Sequence, residues 1–118
     1  MNDAAKQSPL VVYVDIDDTL IRSVGTKRIP IVGVVDHVRN LYSAGAQLFC
    51  WSSGGRDYAQ AVAEELGIAN CFTGFLPKPH VILDDQPVGD WRRCLTVHPS
   101  QCESESAETY WQVICDGK

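Results

Sequence analysis

The sequence predicts an α/β domain built on a five-stranded parallel sheet with helices on both faces. Three observations carry this: short β-branched runs alternate with stretches of helical periodicity, polar residues follow the runs at once, and 118 residues suffice for one such domain but not two. The whole chain, residues 1–118, is read as a single domain, with the polar residues 1–8 as a flexible N-terminus.

Composition narrows the function classes. A hydrophobic share of 45% and a charged share of 21% are those of an ordinary globular chain. No run approaches the roughly 18 apolar residues of a membrane span, so no membrane partner is expected. The start, MNDAAKQSP, lacks the charged and apolar blocks of a signal peptide, which predicts a cytoplasmic location. The five cysteines, Cys50, Cys71, Cys94, Cys102 and Cys115, are odd in number and form no Cys-x-x-Cys pair, which argues against a disulfide framework and a zinc site. A net charge of -5 gives no basic footprint for nucleic acid.

The first strand is the run from Leu10 that stops at Asp15 and is followed by Asp17, Asp18 and Thr19. A short Val-rich run suits a strand buried on both faces of a parallel sheet. Its polar end then lies where such sheets bind ligands, and Asp15 and Asp17 are spaced to turn towards one point. Carboxylates this crowded call for a positive partner, most simply Mg²⁺. As a purely structural feature, Asp-Asp-Thr also serves as a turn or helix N-cap.

Leu20 to Ile31 alternates apolar and polar residues around Gly25, the pattern of a small hairpin or irregular flap. Arg22, Lys27 and Arg28 then bring positive charge to an entrance, or simply decorate a solvated loop. From Ile31 to Ala44, Val34, Val35, Val38, Leu41 and Tyr42 recur at helical spacing, and Gly45 follows as a C-cap. Ala46 to Trp51 is the second strand. It ends in Ser52, Ser53, Gly54 and Gly55, and Arg56 to Leu66 runs helical with Tyr58, Ala61, Val62 and Leu66 on one face.

Strand, small-residue turn and helix start together make a phosphate cradle, in which backbone N–H groups and a Ser hydroxyl point at the anion. Ser52 is favoured as that hydroxyl because it directly follows the apolar run, although Ser53 competes and as an N-cap would need no chemical role. The third strand covers Cys71 to Phe75. Lys78, between Pro77 and Pro79, belongs to a stiff loop. His80 to Leu83 reads as a fourth strand ending in Asp84 and Asp85, two carboxylates that are costly side by side without a cation.

Gln86 to Arg92 is a turn or short helix, Cys94 to Val97 a fifth, outer strand, and Ala107 to Ile114 a closing helix with Tyr110, Trp111 and Ile114 inward. His98 is read as a surface residue, and Trp51, Trp91 and Trp111 as packing.

The runs Asp15-Ile16-Asp17-Asp18-Thr19, Ser52 after the second strand, Lys78, and Asp84-Asp85 resemble, in order, the four motifs of the haloacid dehalogenase (HAD) superfamily. The resemblance covers residues 10–85 and implies a Rossmann-like three-layer sandwich. It implies that Asp15 is a nucleophile forming an aspartyl-phosphate, that Asp17 protonates the leaving oxygen and then activates water, and that Thr19 holds local geometry. It implies Mg²⁺ on Asp15, Asp17 (through its backbone carbonyl), Asp84 and Asp85, and phosphate contacts from Ser52, Ser53, Gly54 and Lys78; Arg56, at the start of the helix, either contacts phosphate or substrate or is an exposed helix residue. The acidic residue at position 17 favours phosphatase over dehalogenase chemistry.

About thirty residues separate Thr19 from Ser52 and about two dozen separate Ser53 from Lys78, which leaves no room for a cap domain. An uncapped site admits a bulky phosphorylated substrate, or takes its lid from a second copy in a homo-oligomer. The same intermediate also serves a phosphotransferase. A non-catalytic phosphate-binding or regulatory module would be marked by loss of Asp15 or Asp17, and a receiver-like domain by a phospho-accepting Asp ending a later strand, where Ser52 stands instead.

Overall fold

A computed structural model describes residues 9–116, so the terminus expected at 1–8 lies outside the described residues. The chain forms β1 (Val11–Asp15), a hairpin of β2 (Ile21–Val24) and β3 (Lys27–Pro30), α1 (Val32–Ser43), β4 (Gln47–Ser52), α2 (Arg56–Glu65), β5 (Phe72–Pro77) and α3 (Ala107–Asp116). Short 3₁₀ turns at Ala69–Cys71, Val88–Asp90 and Pro99–Gln101 fill the connections. The class is α/β. Strands β1, β4 and β5 pair in parallel in that order, and the antiparallel hairpin stands apart from them.

The sheet register explains where the core sits. Val12 and Val14 of β1 lie opposite Leu48 and Cys50 of β4, and Tyr13 and Asp15 lie opposite Phe49 and Trp51. Because side chains alternate across a strand, the first set shares one face and the second set the other. Val14, Leu48 and Cys50 join Val34, Val35, Val38 and Leu41 of α1 and Ala59, Val62 and Ala63 of α2 in one buried cluster. Successive right-handed crossovers in the order β1, β4, β5 put both connecting helices on the same side. On the other face Val11 and Tyr13 remain exposed, and Tyr13 packs against Phe49 and Trp51 at ring separations of 5.2 and 4.9 Å.

The expected three-layer architecture is corrected. The sheet has three parallel strands, not five. His80–Leu83 forms no strand, and its Val81 and Leu83 are 80% and 99% exposed. Only Lys78 and Pro79 lie between the end of β5 and His80, whereas a further parallel strand needs a crossover of about a dozen residues or more. Cys94–Val97 likewise forms no strand, and the fourth strand it was expected to flank is absent. With both missing, the helix layer expected on the second face does not form, and α3 instead packs beside α1, where the Tyr110 hydroxyl meets His37 Nε2 at 2.8 Å.

The remaining elements follow their sequence signals to within a residue or two. The hairpin occupies the Leu20–Ile31 stretch, tied to the body where the Ile31 N–H donates to the Leu20 carbonyl at 2.8 Å. Each apolar position of α1 that recurs at helical spacing is buried except Tyr42, which is 49% exposed.

Candidate active site

The end of β1 turns sharply. The N–H groups of Thr19, Leu20 and Ile21 all donate to the Ile16 carbonyl, at 3.2, 2.9 and 3.2 Å, and the Asp18 N–H donates to the Ile21 carbonyl at 2.8 Å. Asp18 takes a φ of 60°, a left-handed conformation that Asp tolerates better than most residues. This compact turn carries Asp15 and Asp17 at the carboxyl end of the sheet. Ile16, between them, is fully buried and anchors both.

Lys78 reaches the same point. Its backbone N–H donates to the Ser52 carbonyl at 2.9 Å, which carries the chain from β5 across the end of β4. Its Nζ then lies 3.1 Å from Asp15 Oδ1 and 5.8 Å from the centre of the Trp51 ring. The Thr19 hydroxyl donates to Asp15 Oδ2 at 3.2 Å. Asp15 is thus held at both oxygens, and each retains a further lone pair. Beneath it the Cys50 thiol is pushed up to about 12, by burial first and by the charge of Asp15 second, which leaves it protonated and inert.

The turn expected to act as a cradle follows β4. Ser52 is 1% exposed, and its Oγ accepts the Gly54 N–H at 2.9 Å while its carbonyl accepts the Gly55 N–H at 3.1 Å. Gly55 occupies the N-cap of α2 with a φ of 106° and offers no side-chain cap to the first-turn amides. Ser53 and Gly54 are exposed at the turn. Arg56 also sits in solvent, and its guanidinium pairs with the adjacent Asp57 at 3.0 Å rather than reaching inward.

Asp17 is held from α2. The Tyr58 hydroxyl donates to Asp17 Oδ1 at 2.8 Å. Burial first, then the hydrogen bond to Asp17 and its charge, push the Tyr58 hydroxyl above its ordinary value. The Arg28 guanidinium lies 5.7 Å from the centre of the Tyr58 ring and pairs with Glu65 at 2.9 Å, so the hairpin leans on α2 beside Asp17. Helical spacing alone assigns Tyr58 to the packed face of its helix. The missed signal was its phenolic oxygen, which a half-buried Tyr must satisfy.

The acidic pair is placed differently from expectation. Asp84 and Asp85 sit in an exposed irregular segment, where Asp84 Oδ1 accepts the Gln86 N–H at 2.9 Å. Among the described residues, no three His, Cys, Asp or Glu side chains converge as a metal site would require. The expected Mg²⁺ set of Asp15, Asp84, Asp85 and the Asp17 carbonyl is therefore not assembled among the described residues. What the end of β1 does offer is two carboxylates and a turn carbonyl, all hard oxygen donors, and Mg²⁺ takes one or two carboxylates together with phosphate and water. His98 stays exposed and caps its own 3₁₀ turn by accepting the Ser100 N–H at 3.1 Å. A shallow hollow of about 320 Å³, lined by Gly33, Asp36, His37, Asn40 and Glu103, shares no residue with this cluster.

Comparison with family models, with curated proteins and with solved structures finds no match to this chain.

Proposed function

We propose that this chain is a Mg²⁺-dependent phosphatase of HAD type, without a cap, that hydrolyses a phosphomonoester through Asp15. The observation that carries the reading is the pairing of Asp15 Oδ1 with Lys78 Nζ at 3.1 Å at the mouth of the Ser52–Gly55 turn. A carboxylate nucleophile needs a cation that also receives the incoming phosphate. Lys78 stands at that place, and its ammonium stabilises charge on the phosphoryl oxygens as it develops.

In the first step an Asp15 carboxylate oxygen bonds to phosphorus while the bond to the leaving oxygen breaks, and Asp17 gives that oxygen a proton. In the second, water attacks the phosphorus of the aspartyl-phosphate, its proton passes to Asp17, and Asp15 returns as a carboxylate with release of inorganic phosphate. Ser52 and the backbone amides around Ser53 orient the phosphoryl group, while the Thr19 hydroxyl steadies Asp15. Mg²⁺, held by Asp15 and the Asp17 carbonyl, would supply charge neutralisation for the incoming phosphate.

The Thr19–Ser52 interval is filled by the hairpin and α1, and the Ser53–Lys78 interval by α2 and β5. The site therefore opens directly to solvent, which suits a bulky phosphorylated substrate or a lid from a second copy. Its deciding experiment is phosphate release from aryl, metabolite and peptide phosphomonoesters, with Mg²⁺ and with chelator. Turnover that chelator removes and Asp15→Asn abolishes is the expected result. Equal turnover in Asp15→Asn and the parent would sink the mechanism.

A further inference from the structure

We propose that Tyr58 is the positioning residue of Asp17, fixing its carboxyl group in the orientation from which a proton passes to the leaving oxygen. This rests on the phosphatase reading above and adds a residue to it. Asp17 is exposed at the tip of a turn, and an unrestrained side chain there distributes over several rotamers. Proton transfer in the transition state requires one of them.

Tyr58 is suited to select it because the ring is itself held on two sides. A Cβ added to Gly54 would lie 2.8 Å from Tyr58 Cδ2, so only glycine lets the ring seat against the turn after β4. Arg28 lies across the ring at 5.7 Å from its centre and is in turn fixed by Glu65 at 2.9 Å. A rigid aromatic, anchored by a helix, a glycine and a hairpin cation, thus presents one O–H to Asp17 Oδ1 at 2.8 Å.

The bond also decides which carboxyl oxygen does the chemistry. Oδ1 accepts from Tyr58, and among the described residues Oδ2 has no hydrogen-bond partner. In the acid form the carbonyl oxygen is the better acceptor, so the proton resides on Oδ2. It moves from Oδ2 to the leaving oxygen as the bond to phosphorus breaks, and a proton from water returns to Oδ2 in the second step. Tyr58 exchanges no proton in either step.

The test uses leaving groups that differ in their need for a proton. Dinitrophenolate departs without one, whereas phenolate, the conjugate base of a weak acid, requires it. Tyr58→Phe keeps the ring against Gly54 and beneath Arg28 and removes only the hydroxyl, so folding is preserved and is checked by the melting temperature. With Mg²⁺ present, kcat/KM for phenyl phosphate should fall by about ten-fold or more while that for dinitrophenyl phosphate changes by less than about two-fold. In an Asp17→Asn background the same substitution should add nothing, because the two residues act as one unit. Equal loss on both esters, no loss on either, or full additivity with Asp17→Asn overturns the inference while leaving the phosphatase reading in place. A parent protein inactive on both esters overturns that reading, and this inference with it.

Discussion

Lys78 Nζ and Asp15 Oδ1 lie 3.1 Å apart, joining the loop after β5 to the last residue of β1. Both side chains are about one-third exposed, at 36% and 31%, so the pair contributes little to folding, at most about 1 kcal/mol after solvent screening. On the phosphatase reading its value is positional, the ammonium marking where an anion would sit against the carboxylate. Lys78→Met should therefore lower kcat about 100-fold or more, the cost of removing one charged stabiliser. The melting temperature should hardly move. Phosphate-release kinetics alongside thermal unfolding check this, and a large stability loss with intact turnover would assign the pair to folding instead.

Gly54 and Tyr58 join the turn after β4 to Asp17. Gly54→Ala places a methyl 2.8 Å from Tyr58 Cδ2 and 3.4 Å from Ser52 Oγ, so the ring must move and the bond to Asp17 must lengthen. Overpacking of this kind costs about 1–3 kcal/mol. Gly55 offers a contrast, because a Cβ there meets nothing within 4 Å but the backbone holds a φ of 106°. Gly54→Ala should reproduce the leaving-group selectivity of Tyr58→Phe, whereas Gly55→Ala should lower stability with no such selectivity. Both variants are compared by the ratio of kcat/KM for phenyl and dinitrophenyl phosphate, and equal ratios would separate Gly54 from Tyr58.

The sheet and helices were legible where periodicity decides. The α1 stripe of Val34, Val35, Val38 and Leu41 follows from the sequence pattern alone, whereas in β4 the unbroken apolar run 48–51 marks a strand without telling that Leu48, Cys50 and Ser52 face inward. His80–Leu83 shows the limit of that signal. Three consecutive aliphatic residues carry every local mark of a strand, and the two-residue connection from β5 denies it a parallel partner. The end of β1 was legible because its residues stand together in the chain. Tyr58 was not, since its partner Asp17 is 41 residues distant and a tyrosine at a packed helix position already has a sufficient reason to be there. Arg28 was legible only as a charge near an entrance, and its pairing with Glu65 depends on how the hairpin folds over α2.

His37 sets a pH dependence at the far end of the core. It is 8% exposed, and its Nε2 meets the Tyr110 hydroxyl at 2.8 Å, the rings lying edge to face at 5.6 Å. Burial lowers the imidazole below its ordinary value of 6.5, against a weaker upward pull from Glu105. Burial foremost, then the charges of Cys102 and Glu105, push the Tyr110 hydroxyl up to about 12, so it stays protonated throughout. The folded state thus keeps His37 neutral while the unfolded chain takes up a proton, and unfolding gains ground as pH falls. The stabilisation is present above about pH 6.5, the unfolded value, and is lost as pH falls through the lowered folded value. The melting temperature should therefore drop between pH 7 and pH 5, and the drop should shrink in His37→Gln, which has no proton to take up in this range. Tyr110→Phe removes the hydroxyl and leaves His37 buried without its partner, at a cost of about 1–3 kcal/mol near neutral pH. Because α3 is held to α1 through this contact, its amides should exchange faster in Tyr110→Phe than those of β1 and β4. Uniform exchange across all three elements would show that α3 is held elsewhere.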